Sequence, residues 1–83
     1  MGIKTFQVGI YSSSKIIYEG RAVSLVVPAE SGFLGVLADH APIAAKLSSG
    51  KITIRTPEGK VNLVDSFPGG FLEVARNQAT LLL

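Results

Sequence analysis

The 83-residue chain has no cysteine, no tryptophan, a single histidine and a single methionine. Without cysteine it has no disulfide framework and no Cys/His cluster to reinforce a small domain through zinc. Charge is scarce too: 17% of residues are Asp, Glu, Lys or Arg, against about a quarter in ordinary domains. No stretch reaches the roughly 20 apolar residues that cross a bilayer as a helix. The N-terminus carries Lys4 but no long apolar run before a small-residue cleavage site, so a signal peptide is not expected. The eight basic residues against six acidic ones give a net charge of +2. They stand singly along the chain instead of clustering with aromatics, which argues against nucleic acid as a partner.

What is present is apolar: 47% of the chain is hydrophobic, enough for a folded core and too much for a disordered segment. The length predicts one domain over residues 1–83, burying only about 60–65% of the surface of its unfolded chain. So thin a core rests on apolar packing, on a partner, or on both.

Period-two alternation, the pattern of half-buried strands, recurs from end to end, and a helical period is nearly absent. Phe6, Val8 and Ile10 alternate with Thr5, Gln7 and Gly9. Ile16-Ile17-Tyr18 forms a short run that Glu19-Gly20 is expected to close. Residues 23–27 predict a strand stopping at Pro28, which cannot donate to a ladder. Lys51-Ile52-Thr53-Ile54-Arg55 alternates perfectly and is followed by Thr56-Pro57-Glu58-Gly59. In that turn Pro presets φ and Gly supplies a positive φ. Residues 51–64 therefore predict a hairpin, and residues 71–82 a second one turning through Arg76-Asn77-Gln78. Pro42 argues against a helix over residues 38–47, where a loop and a short strand are expected. Many short strands punctuated by Gly and Pro predict an all-β sandwich or barrel.

Catalytic patterns are weak. Asp39-His40 has the residue types of an oriented base, but no nucleophile or oxyanion site accompanies it, so an enzyme built on this pair is the least supported reading. Carboxylates spread along the chain offer no three or four convergent ligands, so no metal is expected. Gly50-Lys51 fails the phosphate-loop spacing at Ala45 and at Ile52. Unusual residues concentrate instead in the glycine-rich stretch 28–42. Phe33 lies there among turn residues, either as an exposed aromatic or as a contact anchor on a rigid loop.

Three blocks carry a resemblance: Ile17-Tyr18-Glu19-Gly20; residues 26–37 followed by His40-Ala41-Pro42; and Gly69-Gly70-Phe71-Leu72-Glu73-Val74 with Asn77 and Thr80-Leu81-Leu82. In this order and spacing the sequence resembles the epsilon-subunit family of F-type ATP synthases in its N-terminal β-sandwich domain. The resemblance implies a ten-stranded sandwich of two antiparallel sheets. It implies a non-catalytic subunit without cofactor at the foot of the rotor's central stalk, binding the gamma subunit and the membrane-embedded c-ring. Rotation driven by proton or sodium-ion flow would then reach the catalytic head as torque. By the same resemblance Glu30, Ser31, Gly32 and Phe33 face the ring, while Ser12, His40 and Ala45 lie toward gamma or the ring. An acidic residue is usual in the family where Phe33 stands, so an apolar contact is expected here. Pro-Gly commonly precedes the histidine, where this chain has Ala38-Asp39. Longer members continue into a C-terminal helical hairpin that can inhibit ATP hydrolysis; these 83 residues are expected to lack that role. The implied location is peripheral, on the cytoplasmic face of a bacterial inner membrane or, second, on a plastid thylakoid, with a monomer when isolated. The alternative is a free-standing β-sandwich protein-binding module.

Overall fold

The computed structural model describes residues 2–83, and among these it contains strands and turns but no helix. The strands are β1 (Phe6–Tyr11), β2 (Ile16–Ala22), β3 (Ser24–Ala29), β4 (Gly32–Leu37), β5 (Ile43–Lys46), β6 (Gly50–Arg55), β7 (Val61–Ser66), β8 (Phe71–Ala75) and β9 (Gln78–Leu82). They form a five-stranded sheet ordered β2-β1-β9-β8-β5 and a four-stranded sheet ordered β4-β3-β6-β7. The alternating apolar sets are the core between them: Phe6, Val8 and Ile10 from β1, Leu25 and Val27 from β3, Ile52 and Ile54 from β6, and Leu72 and Leu81 from β8 and β9 are all buried. Each such side chain contributes about 1.5–3 kcal/mol by leaving water.

The sandwich is as expected, with two corrections of detail. The described residues form nine strands, not ten, because the remaining ladder contact, Ala29 with Leu47, is an isolated bridge that no neighbouring residue extends. Nor is every pairing antiparallel: β1 lies parallel to β9, Gln7 opposite Gln78 through Tyr11 opposite Leu82. The first and last of the described strands thus lie side by side within one sheet.

Three boundaries also move. β2 runs through Glu19-Gly20 to Ala22, because β1 pairs with it along that whole length. Pro28 lies inside β3, where its ladder with β6 has already ended at Val26 opposite Thr53, so the missing N–H leaves no gap there. The stretch 32–37 is a strand rather than a connection. Val36 faces the core and Gly35 faces out into open space, where its lack of a side chain interrupts nothing.

The predicted hairpins are present. In the first, Thr56 N donates to Lys60 O at 2.9 Å and Gly59 takes φ 89°. In the second, Gln78 joins the strand opposite Ala75, leaving a two-residue turn. Arg76 at φ 54° and Asn77 at φ 60° give it two positive φ values, as in a type I′ turn, which matches the twist of the flanking strands.

Candidate functional site

Edge strands β4 and β5, joined by residues 38–42, form one flank of the sandwich; β2 and β7 form the other. Six of the seven sequence-predicted contact residues fall along the β4/β5 flank. Glu30, Ser31, Gly32 and Phe33 form its tip at one end, Ala45 lies within β5, and His40 sits at the far end in the β4–β5 connection. Ser12 stands apart, in the β1–β2 turn, where its N–H donates to Lys15 O at 2.9 Å. It lines a groove between β2 and β7 of about 560 Å³, together with Ile16, Ile17, Val64, Phe67 and Leu83.

The β3–β4 tip is built by backbone chemistry. Ala29 pairs with Gly32, leaving Glu30 and Ser31 to reverse the chain. Neither has a positive φ; Gly32 supplies it at 120°, a value costly for any residue with a Cβ. The tip is mounted on the opposite sheet as well as its own: Glu30 N donates to Lys46 O at 3.0 Å, and Ser48 N to Pro28 O at 2.8 Å. Phe33, paired with Pro28 across the ladder, points away from the core and is 74% exposed.

Phe33 is not an isolated apolar residue. On the outer face of the four-stranded sheet, Gly35, Val26, Thr53 and Leu63 lie in one cross-strand row, and Leu37, Ser24, Arg55 and Val61 in the next. Val26, Leu37, Val61 and Leu63 are all exposed. The sequence carried that signal in the alternation of Val61 and Leu63 with inward-facing Val64, but alternation alone does not say which parity faces water.

At the other end of the flank Asp39 and His40 have separate partners. The Asp39 carboxylate lies 3.5 Å from Lys4 Nζ, with both side chains largely exposed, a weak, screened pair. The His40 ring places Nδ1 2.7 Å from Ala41 O. A carbonyl only accepts, so Nδ1 carries the proton in this contact. Asp39 adopts φ 61° and its N–H donates to Asn77 Oδ1 at 2.8 Å. Asn77 also donates from Nδ2 to Thr5 O at 2.9 Å. Sequence reasoning did not find these two bonds, because the residues they join, Asp39 with Asn77 and Asn77 with Thr5, lie 38 and 72 positions apart in the chain.

Next to Ser12, the Tyr11 hydroxyl donates to Glu19 Oε2 at 2.7 Å. The ring reaches back over Gly9, where a Cβ would come within 2.4 Å of the Tyr11 Oη. The hydrogen bond to Glu19, then partial desolvation, then the carboxylate's charge hold the Tyr11 phenol above its ordinary value of 10.0. Among the described residues no three His, Cys, Asp or Glu side chains converge as metal ligands.

A family model for the ATP synthase delta/epsilon chain beta-sandwich domain matches residues 5–83. The ATP synthase epsilon chain of Leptospira borgpetersenii is 44% identical over 75 residues, covering 90% of this chain and 58% of that one. The epsilon chain of Leptospira interrogans is 39% identical over 82 residues, covering 99% and 63%. The chain thus spans about three fifths of the length of these relatives. Among solved structures, a chain of the Euglena gracilis mitochondrial ATP synthase OSCP/F1/c-ring assembly superposes with a TM-score of 0.87 at 17% identity, over 99% of this chain and 52% of that one. One from the Tetrahymena thermophila mitochondrial ATP synthase central stalk and c-ring gives 0.74 at 13%, over 99% and 65%. At these identities the two superpositions speak for the fold.

Proposed function

The chain belongs to the family of ATP synthase delta/epsilon-chain β-sandwich domains, and from that premise we propose that it is a non-catalytic rotor subunit of an F-type ATP synthase. It binds the gamma subunit and the c-ring, so that rotation driven by ion flow is transmitted to the catalytic head. The observation that carries this reading is the family match over residues 5–83, which takes in every strand of the sandwich. The β4/β5 flank supports it physically: a rigid edge presents Glu30 to Phe33 at one end and His40 at the other, as a coupling between two partners requires. Phe33 offers an apolar anchor, with Glu30 and Ser31 as polar neighbours. Ser12 and Ala45 complete the set of contacts. The complex lies peripheral to a membrane, on the cytoplasmic face in a bacterium, and the isolated chain is a monomer. No cofactor takes part.

Co-expression with the gamma subunit tests the reading. The expected result is a complex of one copy of each that survives purification, and Phe33→Asp leaves it intact while weakening retention on the c-ring. A protein that purifies free of gamma contradicts the proposal and favours a free-standing binding module.

A further inference from the structure

Residues 38–42 leave β4 and enter β5 without any strand pairing of their own. Within this connection, His40 N donates to Leu37 O at 3.3 Å, a bond that holds the turn together but does not orient it on the sandwich. One hydrogen bond among the described residues joins the connection to a distant part of the chain: Asp39 N–H to Asn77 Oδ1, 2.8 Å. The Lys4–Asp39 pair adds little, being exposed on both sides.

Asn77 is unusual in how completely it is used. Its carbonyl oxygen accepts from Gln7 N at 3.2 Å, its Nδ2 donates to Thr5 O at 2.9 Å, and its Oδ1 accepts from Asp39 N. The turn it occupies does not need that side chain, since glycine satisfies a positive φ at this position as well. The amide is therefore engaged in tertiary contacts, clasping the entry to β1 and the His40 loop onto the β8–β9 turn. Two residues with φ near 60°, Asp39 and Asn77, meet in this clasp.

We propose that Asn77 is the positioning residue of the His40 loop, fixing through the Asp39 N–H the pose in which that loop is presented to the gamma subunit, the partner that the proposed coupling puts at the end of the flank opposite the Glu30–Phe33 tip. This role rests on the rotor-subunit reading given above. Asn77 touches no partner itself; it acts through the loop.

The test is the affinity of purified gamma subunit for four proteins: wild type, Asn77→Gly, His40→Ala and the double variant. Asn77→Gly weakens binding roughly tenfold, the scale of one or two lost hydrogen bonds, and His40→Ala weakens it to a similar degree. The double variant is no weaker than the weaker single variant, because the two residues act as one unit. Amide exchange at Asp39 accelerates in Asn77→Gly while the core amides of Ile54 and Leu81 keep their protection, a local change that general destabilisation does not produce. Asn77→Asp, which retains an acceptor for Asp39 N–H but sets its second oxygen against Thr5 O, recovers part of the affinity lost in Asn77→Gly. Additive losses, or wild-type affinity in Asn77→Gly, overturn the role of Asn77 and leave the rotor function standing. Wild type that does not bind gamma removes the rotor function, and the role with it. If Asn77→Gly does not fold, amide exchange at Asp39 in the wild type decides: protection well above the free-chain rate supports the clasp, and its absence overturns it.

Discussion

Tyr11 shows how a half-buried side chain is held by chemistry that a sequence does not display. Its hydroxyl reaches Glu19 across the β1–β2 pair because Gly9 leaves the space for the ring. The phenol titrates above 10.0 in the folded protein, so the folded state keeps this proton more tightly than the unfolded chain does. The stabilisation is complete below the ordinary phenol value and is lost as pH rises through the folded one. In a Tyr18→Phe background, tyrosinate absorbance reports Tyr11 alone, and Glu19→Ala is expected to move its midpoint down toward the ordinary value. An unmoved midpoint would show that Glu19 is not the cause. At this scale legibility was mixed. The composition and turn signals around Phe33 singled out a residue that proves 74% exposed. Asn77 was legible only as a turn residue, because its three contacts join segments that no local pattern connects. The pairing of Asp39 with Lys4 rather than with His40 was equally out of reach.

Among the elements, the hairpins were the most legible, since Pro57 and Gly59 act through their own φ values whatever surrounds them. β4 was the least legible. Its two glycines read as connection, yet one ends the tip at φ 120° and the other faces empty space. Glycines with different surroundings predict different mutational outcomes. At buried Gly70 a Cβ would lie 2.8 Å from the backbone oxygen of Leu82 and 3.2 Å from Leu47 Cδ1, and backbone in a paired strand does not yield. Gly70→Ala is expected to cost about 1–3 kcal/mol, lowering the thermal midpoint by roughly 4–8 °C per kcal/mol for a domain of this size. Gly35→Ala meets nothing within 4 Å and needs no positive φ, so it should stay within about 0.5 kcal/mol of the parent. Equal midpoints for the two variants would mean that the end of the β8–β9 ladder next to Gly70 is looser than described.

For the whole molecule, alternation and punctuation led to an all-β sandwich or barrel and the family resemblance to the two-sheet sandwich, whereas neither showed the parallel meeting of β1 and β9. That pairing depends on which sheet each hairpin joins, a choice made by the shared core and not by any one segment. The result is a sandwich whose well-packed interior lies beneath an outer face bearing Val26, Phe33, Leu37, Val61 and Leu63 in exposed positions. A small domain with so much apolar surface outside and a rigid flank is suited to work within an assembly, where partner binding adds to its stability by mass action. The proposed role is to join the gamma subunit to the c-ring. The most direct measurement is retention of purified gamma subunit on isolated c-ring, with and without this protein. Gamma and this protein are expected to be retained together in equal amounts, and gamma retention is expected to fall when the protein is left out. Retention of gamma that is the same in both cases, with this protein remaining unbound, would contradict it.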